Sequence, residues 1–136
     1  MRYLNAHEIM KAITLEEVMA SVEEAFRIYE AKTYTMPDRM AVDCNDGNLF
    51  LLMPCVAQDS ISTKLVTVFP KNRARNRPVI DGVVVLSDRS TGEILALMDG
   101  KTITAMRTGA VTGVSIRHLA KADTQSVGIV GCGVQS

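Results

Sequence analysis

The chain has 136 residues, of which 47% are hydrophobic and 22% are charged, so it is long enough to bury one core and too apolar to be disordered. Its fifteen basic and fifteen acidic residues balance, which leaves no overall field to attract nucleic acid or an anionic membrane. We therefore expect a small neutral or zwitterionic partner.

Three cysteines are present, Cys44, Cys55 and Cys132, and they have neither CxxC nor metal-ligand spacing. This pattern predicts neither a disulfide framework nor a metal site. The longest apolar run, residues 49–57, contains Pro54 and is too short to span a bilayer, and the N-terminus does not read as a signal peptide. These features predict a cytoplasmic protein that does not enter a membrane.

The chain opens with two helix starts. Asn5 with Glu8, and Thr14 with Glu17, both match the capping box, in which a short polar side chain and a glutamate three residues later satisfy the first free amides. Apolar residues then recur at helical spacing over residues 15–29, with charged residues on the other side. This segment is predicted to be an amphipathic surface helix.

From residue 40 onward the pattern changes to short strands joined by tight turns, with no helices between them. The predicted strands cover residues 40–44, 49–56, 61–69, 79–87 and 93–98. Such an order predicts an α+β fold with a mostly antiparallel sheet flanked by the helical regions.

The basic segment 71–77 lies between Pro70 and Pro78 and has no interleaved aromatic residues for base stacking, so it is predicted to be a solvated loop. His7 and His118 are isolated from other metal ligands and nucleophiles. Metal and triad chemistry are therefore unsupported.

The segment 99–120 is predicted to be a helix, and Arg107 is its least expected residue. Arg107 falls in one row with Ile103, Ala110 and Val114, which should face the core. A guanidinium on an apolar face needs a carboxylate partner or an anionic ligand. From this stretch alone, a buried pair with an acidic residue is slightly favoured over ligand binding.

The same helix carries Ala105, Gly109 and Gly113 at four-residue steps. Two glycines inside a helix cost about 1 kcal/mol each relative to alanine, so this row predicts a close approach of another element.

Two further cations are candidates. Lys64 lies inside the strand 61–69, on the same face as Val66. The pattern supports two interpretations of Lys64 about equally, a functional lysine and an edge-strand lysine that points to water. Arg39 stands at the entrance to the first strand of the 40–56 hairpin, where a solvent-exposed arginine is the default interpretation.

Residues 126–130 have the composition of a short buried parallel strand, and residues 131–136 follow as G-x-G-x-x-S. In a dinucleotide-binding turn these small residues allow a tight turn, close approach to the pyrophosphate and helix packing. We therefore predict two parts: residues 1–124 form a front domain, and residues 125–136 form the first strand and turn of a truncated NAD(P)-binding Rossmann domain. The cofactor-binding candidates are Gly131, Gly133, Val134, Gln135 and Ser136.

Three stretches, 63–72, 104–110 and 127–133, together resemble the ornithine cyclodeaminase and mu-crystallin family in order and spacing. The resemblance implies a substrate-binding and dimerisation domain built on an antiparallel sheet, followed by a Rossmann domain that binds NAD or NADP. It also implies a homodimer formed through the sheet domain.

The resemblance further assigns residues. It implies that the substrate carboxylate is held by Arg39, Lys64 and Arg107, with Lys64 also among the catalytic groups. For Lys64 and Arg107, the resemblance therefore favours ligand binding over the structural interpretations given above. The family's catalytic aspartate lies beyond Ser136, so the chain by itself is expected to be inactive.

The implied activity is NAD-dependent conversion of ornithine to proline and ammonia. Ornithine-using members have a glutamate two residues before a Met-Pro pair, whereas Leu51 stands there in this chain. A substrate with an apolar side chain fits at least as well, as in related alanine dehydrogenases and in ketimine or pyrroline-carboxylate reductases. A mu-crystallin-like binding protein and a purely structural dimerisation module are the remaining alternatives.

Overall fold

The computed structural model describes residues 1–131 and residue 133. It shows an α+β fold with one six-stranded sheet, three α-helices and a 3-10 helix. The elements in chain order are β1 (Arg2–Leu4), α1 (Ala6–Ala12), α2 (Leu15–Ala31), β2 (Met40–Asp43), β3 (Leu49–Val56), β4 (Ser60–Val68), the 3-10 helix (Pro70–Arg75), β5 (Ile80–Asp88), β6 (Ile94–Asp99) and α3 (Gly100–Leu119). The predicted fold class is confirmed.

The sheet has the strand order β1-β6-β5-β4-β3-β2, and every adjacent pair is antiparallel except β1 with β6. The five predicted strands and the helix 99–120 agree with the structure to within one residue at each end. Strand β1 was not predicted, because three residues are too few for a period-two pattern to show.

Both predicted capping boxes are present. The Asn5 side chain accepts a hydrogen bond from the Glu8 amide at 3.0 Å, and the Glu8 carboxylate accepts one from the Asn5 amide at 2.9 Å. Thr14 and Glu17 repeat the arrangement at the start of α2. The predicted loop at residues 71–77 is a 3-10 helix over most of its length, with Pro70 at the first position.

The α-helices pack on one face of the sheet. Residues directly opposite each other in neighbouring strands share a face, so a single row on the helix side runs through Met53, Lys64, Val84, Met98 and Leu4. The helices contact mainly β6, β5 and β4, while β2 and most of β3 carry no helix. The helix side of the sheet is therefore open toward β2.

The row of small residues on α3 has two different environments. A Cβ at Gly113 would lie 3.1 Å from the sulfur of Met19, so α2 and α3 do approach closely there. A Cβ at Gly109 would meet nothing within 4 Å. The predicted close approach is correct for Gly113 and wrong for Gly109.

The prediction of a buried strand at residues 126–130 is not met. These residues form neither helix nor strand, and the exposed fractions of Val127, Ile129 and Val130 are 55%, 66% and 104%. A strand needs a neighbour for its backbone hydrogen bonds, and no strand of the described sheet lies beside this segment.

The residues of the predicted dinucleotide turn are only partly described. Gly131 has a φ of 104°, a backbone conformation that favours glycine, as a tight turn requires. Val134, Gln135 and Ser136 lie outside the described residues.

Among the helices that the structure describes, none is long and apolar enough to cross a bilayer.

Candidate functional site

Lys64 lies in the middle of β4 and projects from the helix side of the sheet. Its ammonium donates a hydrogen bond of 2.6 Å to Thr104 Oγ1 on α3, and that hydroxyl donates one of 2.6 Å to the Gly100 carbonyl. The strand is paired with β3 on one side and β5 on the other. The interpretation of Lys64 as an edge-strand lysine pointing to water is therefore wrong.

The charge on Lys64 is not compensated within the described chain. Burial lowers the pKa of the Lys64 ammonium, and the positive charge of Arg107 lowers it further. Across residues 1–131 and 133, no acidic side chain lies within ion-pairing distance of Lys64 or Arg107. Asp81 lines the cavity beside Lys64 but pairs with Lys101 at 3.1 Å, so neither Lys64 nor Arg107 has an ion-pair partner in the described chain.

Arg107 is exposed, although the predicted row around it is otherwise correct. Ala110 and Val114 are buried, with exposed fractions of 0% and 6%, and Ile103 is half-buried. Arg107 borders a cavity between α3, α1 and α2, whose lining also includes Ile9 and Val18, and it remains exposed. The alternative of a buried arginine–carboxylate pair is therefore wrong.

Arg39 is also exposed, and it directly precedes β2. The β2–β3 register pairs Met40 with Leu52, so its continuation by one residue places Arg39 opposite Met53. Met53 is in turn opposite Lys64. If the register continued past the end of β2 in this way, two strand spacings would put the Cα atoms of Arg39 and Lys64 about 10 Å apart on one face.

A cavity of about 260 Å³ lies beside Lys64, between the first turn of α3 and strands β4 and β5. Two glycines that line this cavity allow close packing, Gly82 of β5 against β4 and Gly100 of α3 against β5. A Cβ at Gly82 would clash with the Leu65 carbonyl oxygen, and one at Gly100 would lie 2.8 Å from the Gly82 carbonyl oxygen. Sequence reasoning missed both glycines, whose only signal is their position inside a strand and at a helix start.

The first turn of α3 is fixed by Asp99. Its carboxylate accepts a hydrogen bond of 2.7 Å from the Thr102 amide. Burial acts to raise the pKa of Asp99, but the hydrogen bonds from Thr102 outweigh it and the pKa is lowered. This cap holds the amino end of α3, where the helix dipole is positive, close to Lys64.

Leu51 lies on the helix side of the sheet, opposite Val66, in the row next to that of Lys64. Its side chain is apolar and offers no charge partner to an ammonium. The surroundings of the cations are thus apolar on the β3 side.

The profile of the Ornithine cyclodeaminase/mu-crystallin family matches residues 2–136. A Delta(1)-pyrroline-2-carboxylate reductase of Bacillus cereus is 37% identical over 139 residues, which cover 100% of this chain and 43% of that protein. The chain spans less than half the length of the curated relatives it matches.

Two solved structures have the same fold. That of Thermococcus litoralis Delta(1)-pyrroline-2-carboxylate reductase in complex with NADH and L-proline is 36% identical, with a TM-score of 0.88, over 99% of this chain and 43% of that one. An archaeal alanine dehydrogenase dimer with bound NAD is 30% identical, with a TM-score of 0.89, over 98% of this chain and 42% of that one. The fold is thus that of an α+β domain found in nicotinamide-dependent oxidoreductases.

The chain belongs to the Ornithine cyclodeaminase/mu-crystallin family.

Proposed function

We propose that this chain is the substrate-binding part of a nicotinamide-dependent enzyme that acts on a small amino or imino acid. The observation that carries the proposal is Lys64, an ammonium that is half-buried, has its pKa lowered by burial and by the charge of Arg107, and has no acidic partner in the described chain. A substrate carboxylate would supply the missing charge, and Arg107 can bind it through two parallel hydrogen bonds. Arg39 approaches from the open side of the sheet.

The substrate class that fits best is a cyclic imino acid such as Δ1-pyrroline-2-carboxylate, which is reduced to L-proline. The apolar Leu51 suits a substrate without a distal charge. When bound, the nicotinamide would supply the hydride for the imine carbon. Lys64 would hold the carboxylate and keep a proton beside the reacting atoms, and its lowered pKa makes that proton easier to release than one on an exposed lysine.

Residues 125–136 would begin the nucleotide-binding domain, and residues 1–124 would form the substrate domain. Gly131 and Gly133 would allow the backbone to approach a pyrophosphate, and the positive φ of Gly131 is compatible with this role. Val134, Gln135 and Ser136 complete the predicted turn. We propose NAD or NADP as the cofactor and the cytoplasm as the location.

We also propose a homodimer formed through the face of the sheet opposite the helices. That face carries apolar side chains from four strands, which are Leu52, Pro54, Leu65, Val83, Val85 and Leu97. All three α-helices pack on the other side, so no helix of the described chain covers it. Apolar faces of this kind mark association surfaces.

The dimer is tested by Val85→Lys, which places a charge at the centre of this face. Sedimentation should show a dimer for the natural protein and a monomer for the variant, because an unpaired buried charge is costly. A monomer for the natural protein would remove the dimer proposal and leave the site proposal intact.

The activity is tested with the protein as its gene encodes it, in three parallel reactions. The first contains Δ1-pyrroline-2-carboxylate with NADH or NADPH, the second pyruvate with ammonia and the same cofactors, and the third ornithine with NAD. We expect the fastest oxidation of reduced nicotinamide in the first.

The other results either identify one of the alternative functions or contradict the proposal. Preference for pyruvate and ammonia identifies an alanine dehydrogenase, and proline from ornithine without net NADH identifies a cyclodeaminase. Tight binding without turnover identifies a mu-crystallin-like binding protein, and neither binding nor turnover would contradict the proposed function.

A further inference from the structure

Thr104 makes two short hydrogen bonds with a defined direction. A hydroxyl has one proton to donate, and Thr104 Oγ1 lies 2.6 Å from the Gly100 carbonyl, which can only accept. The hydroxyl therefore donates its proton to the Gly100 carbonyl. The oxygen then faces the Lys64 ammonium, also at 2.6 Å, as an acceptor.

The bond from Thr104 to Gly100 is not unusual by itself. Ser21 and Ser115 donate in the same way to the carbonyls four residues before them, at 2.9 and 2.8 Å. Within the described part of the chain, neither of these hydroxyls receives a hydrogen bond from a lysine. The distinguishing feature of Thr104 is that its fixed hydroxyl meets Lys64, which projects between β4 and α3.

This contact has two consequences for Lys64. It restrains a long flexible side chain at its tip, and it leaves two of the three ammonium protons free for a ligand. It also stabilises the charged form of Lys64, against burial and the repulsion from Arg107.

We propose that Thr104 is a positioning residue for Lys64, which holds the ammonium in its charged form and aims its free protons at the carboxylate of the substrate. The proposal rests on the proposed function in one respect, since it takes the Lys64 ammonium as the group that binds the carboxylate. Its effect on Lys64 itself is measurable without any ligand.

The test compares Thr104→Val, which removes the hydroxyl, with Thr104→Ser, which keeps it, in the intact protein. Ser115→Ala is the matched control, because it removes a hydroxyl with the same backbone bond on the same helix. The pKa of Lys64 is measured by NMR with labelled lysine, and the affinity for L-proline is measured by calorimetry over a range of pH. Thr104→Ala replaces the valine variant if valine does not fold.

Removal of the hydroxyl should lower the Lys64 pKa further and weaken L-proline binding roughly tenfold, the loss expected for one hydrogen bond to a charged group. The affinity should also begin to fall at a lower pH than in the natural protein. Thr104→Ser and Ser115→Ala should leave both the pKa and the affinity close to their natural values.

An unchanged Lys64 pKa and affinity in Thr104→Val would overturn the proposal, as would equal losses in Thr104→Ser. If the natural protein shows no affinity for L-proline or for Δ1-pyrroline-2-carboxylate, the proposed cyclic imino acid substrate is wrong. The pKa comparison then still decides whether Thr104 positions Lys64.

Discussion

Lys64→Met should separate binding from folding. Methionine has nearly the length of lysine but carries no charge and cannot donate to Thr104. Loss of that hydrogen bond, whose donor is charged, costs about 1.5–3 kcal/mol, and removal of a half-buried charge without an acidic partner in the described chain returns a similar amount. The free energy of unfolding should therefore change by less than about 1 kcal/mol, in either direction.

The effect on binding should be much larger. A hydrogen bond between charged groups contributes about 1.5–3 kcal/mol, so the dissociation constant for L-proline should rise by between about tenfold and 150-fold. Unfolding in urea gives the stability and calorimetry gives the affinity, both on the intact protein. Lys71→Met is the control, because Lys71 forms an exposed pair with Asp46 at 3.4 Å and should change neither quantity noticeably.

A loss of more than about 2 kcal/mol of stability in Lys64→Met, with an unchanged affinity for L-proline, would contradict this role of Lys64. Lys64 would then stabilise the fold rather than bind a ligand. Equal loss of affinity in Lys71→Met would show a general effect of charge and not a contact at this site.

Three further predictions concern the fold. Thr14→Ala should lower the unfolding free energy by about 1 kcal/mol in urea, because it removes a helix cap. The Asp88 carboxylate accepts hydrogen bonds from Ser90 and Thr91 in the turn, and these lower its pKa from 3.8 to about 2. Its contribution to stability should therefore be present above pH 3.8 and lost as the pH falls through about 2. Unfolding at several acidic pH values should show this loss in the natural protein and a smaller one in Asp88→Asn. Gly82→Ala, whose Cβ would meet backbone, should cost more than about 2 kcal/mol, whereas Gly109→Ala, which has open space, should stabilise α3 by up to about 1 kcal/mol. Similar melting temperatures for the two glycine variants would contradict the packing described.

Features with a local physical cause could be predicted from the sequence. The capping boxes at Asn5 and Thr14 depend on residues three apart, and the hairpin around Gly47 depends on adjacent residues that accept a positive φ. Each of these was predicted to within a residue. The family resemblance also depends on short motifs with a fixed order along the chain.

Features that depend on tertiary contacts could not be predicted from the sequence. The hydrogen bond between Lys64 and Thr104 joins residues 40 positions apart and depends on how α3 crosses the sheet. Helical periodicity predicted the row of α3 on which Arg107 lies but not its exposure, which depends on how α1 and α2 pack beside α3. The apolar composition of residues 126–130 suggested a strand, but the described sheet offers it no neighbour.

The central claim is that the carboxylate of a small ligand binds both Lys64 and Arg107 and compensates their positive charge. A crystal structure of the intact protein with L-proline tests it most directly. We predict that the carboxylate oxygens lie within hydrogen-bonding distance of Lys64 Nζ and of the Arg107 guanidinium, with the bond from Lys64 to Thr104 retained. L-proline bound at another surface, with neither cation in contact with its carboxylate, would contradict the claim.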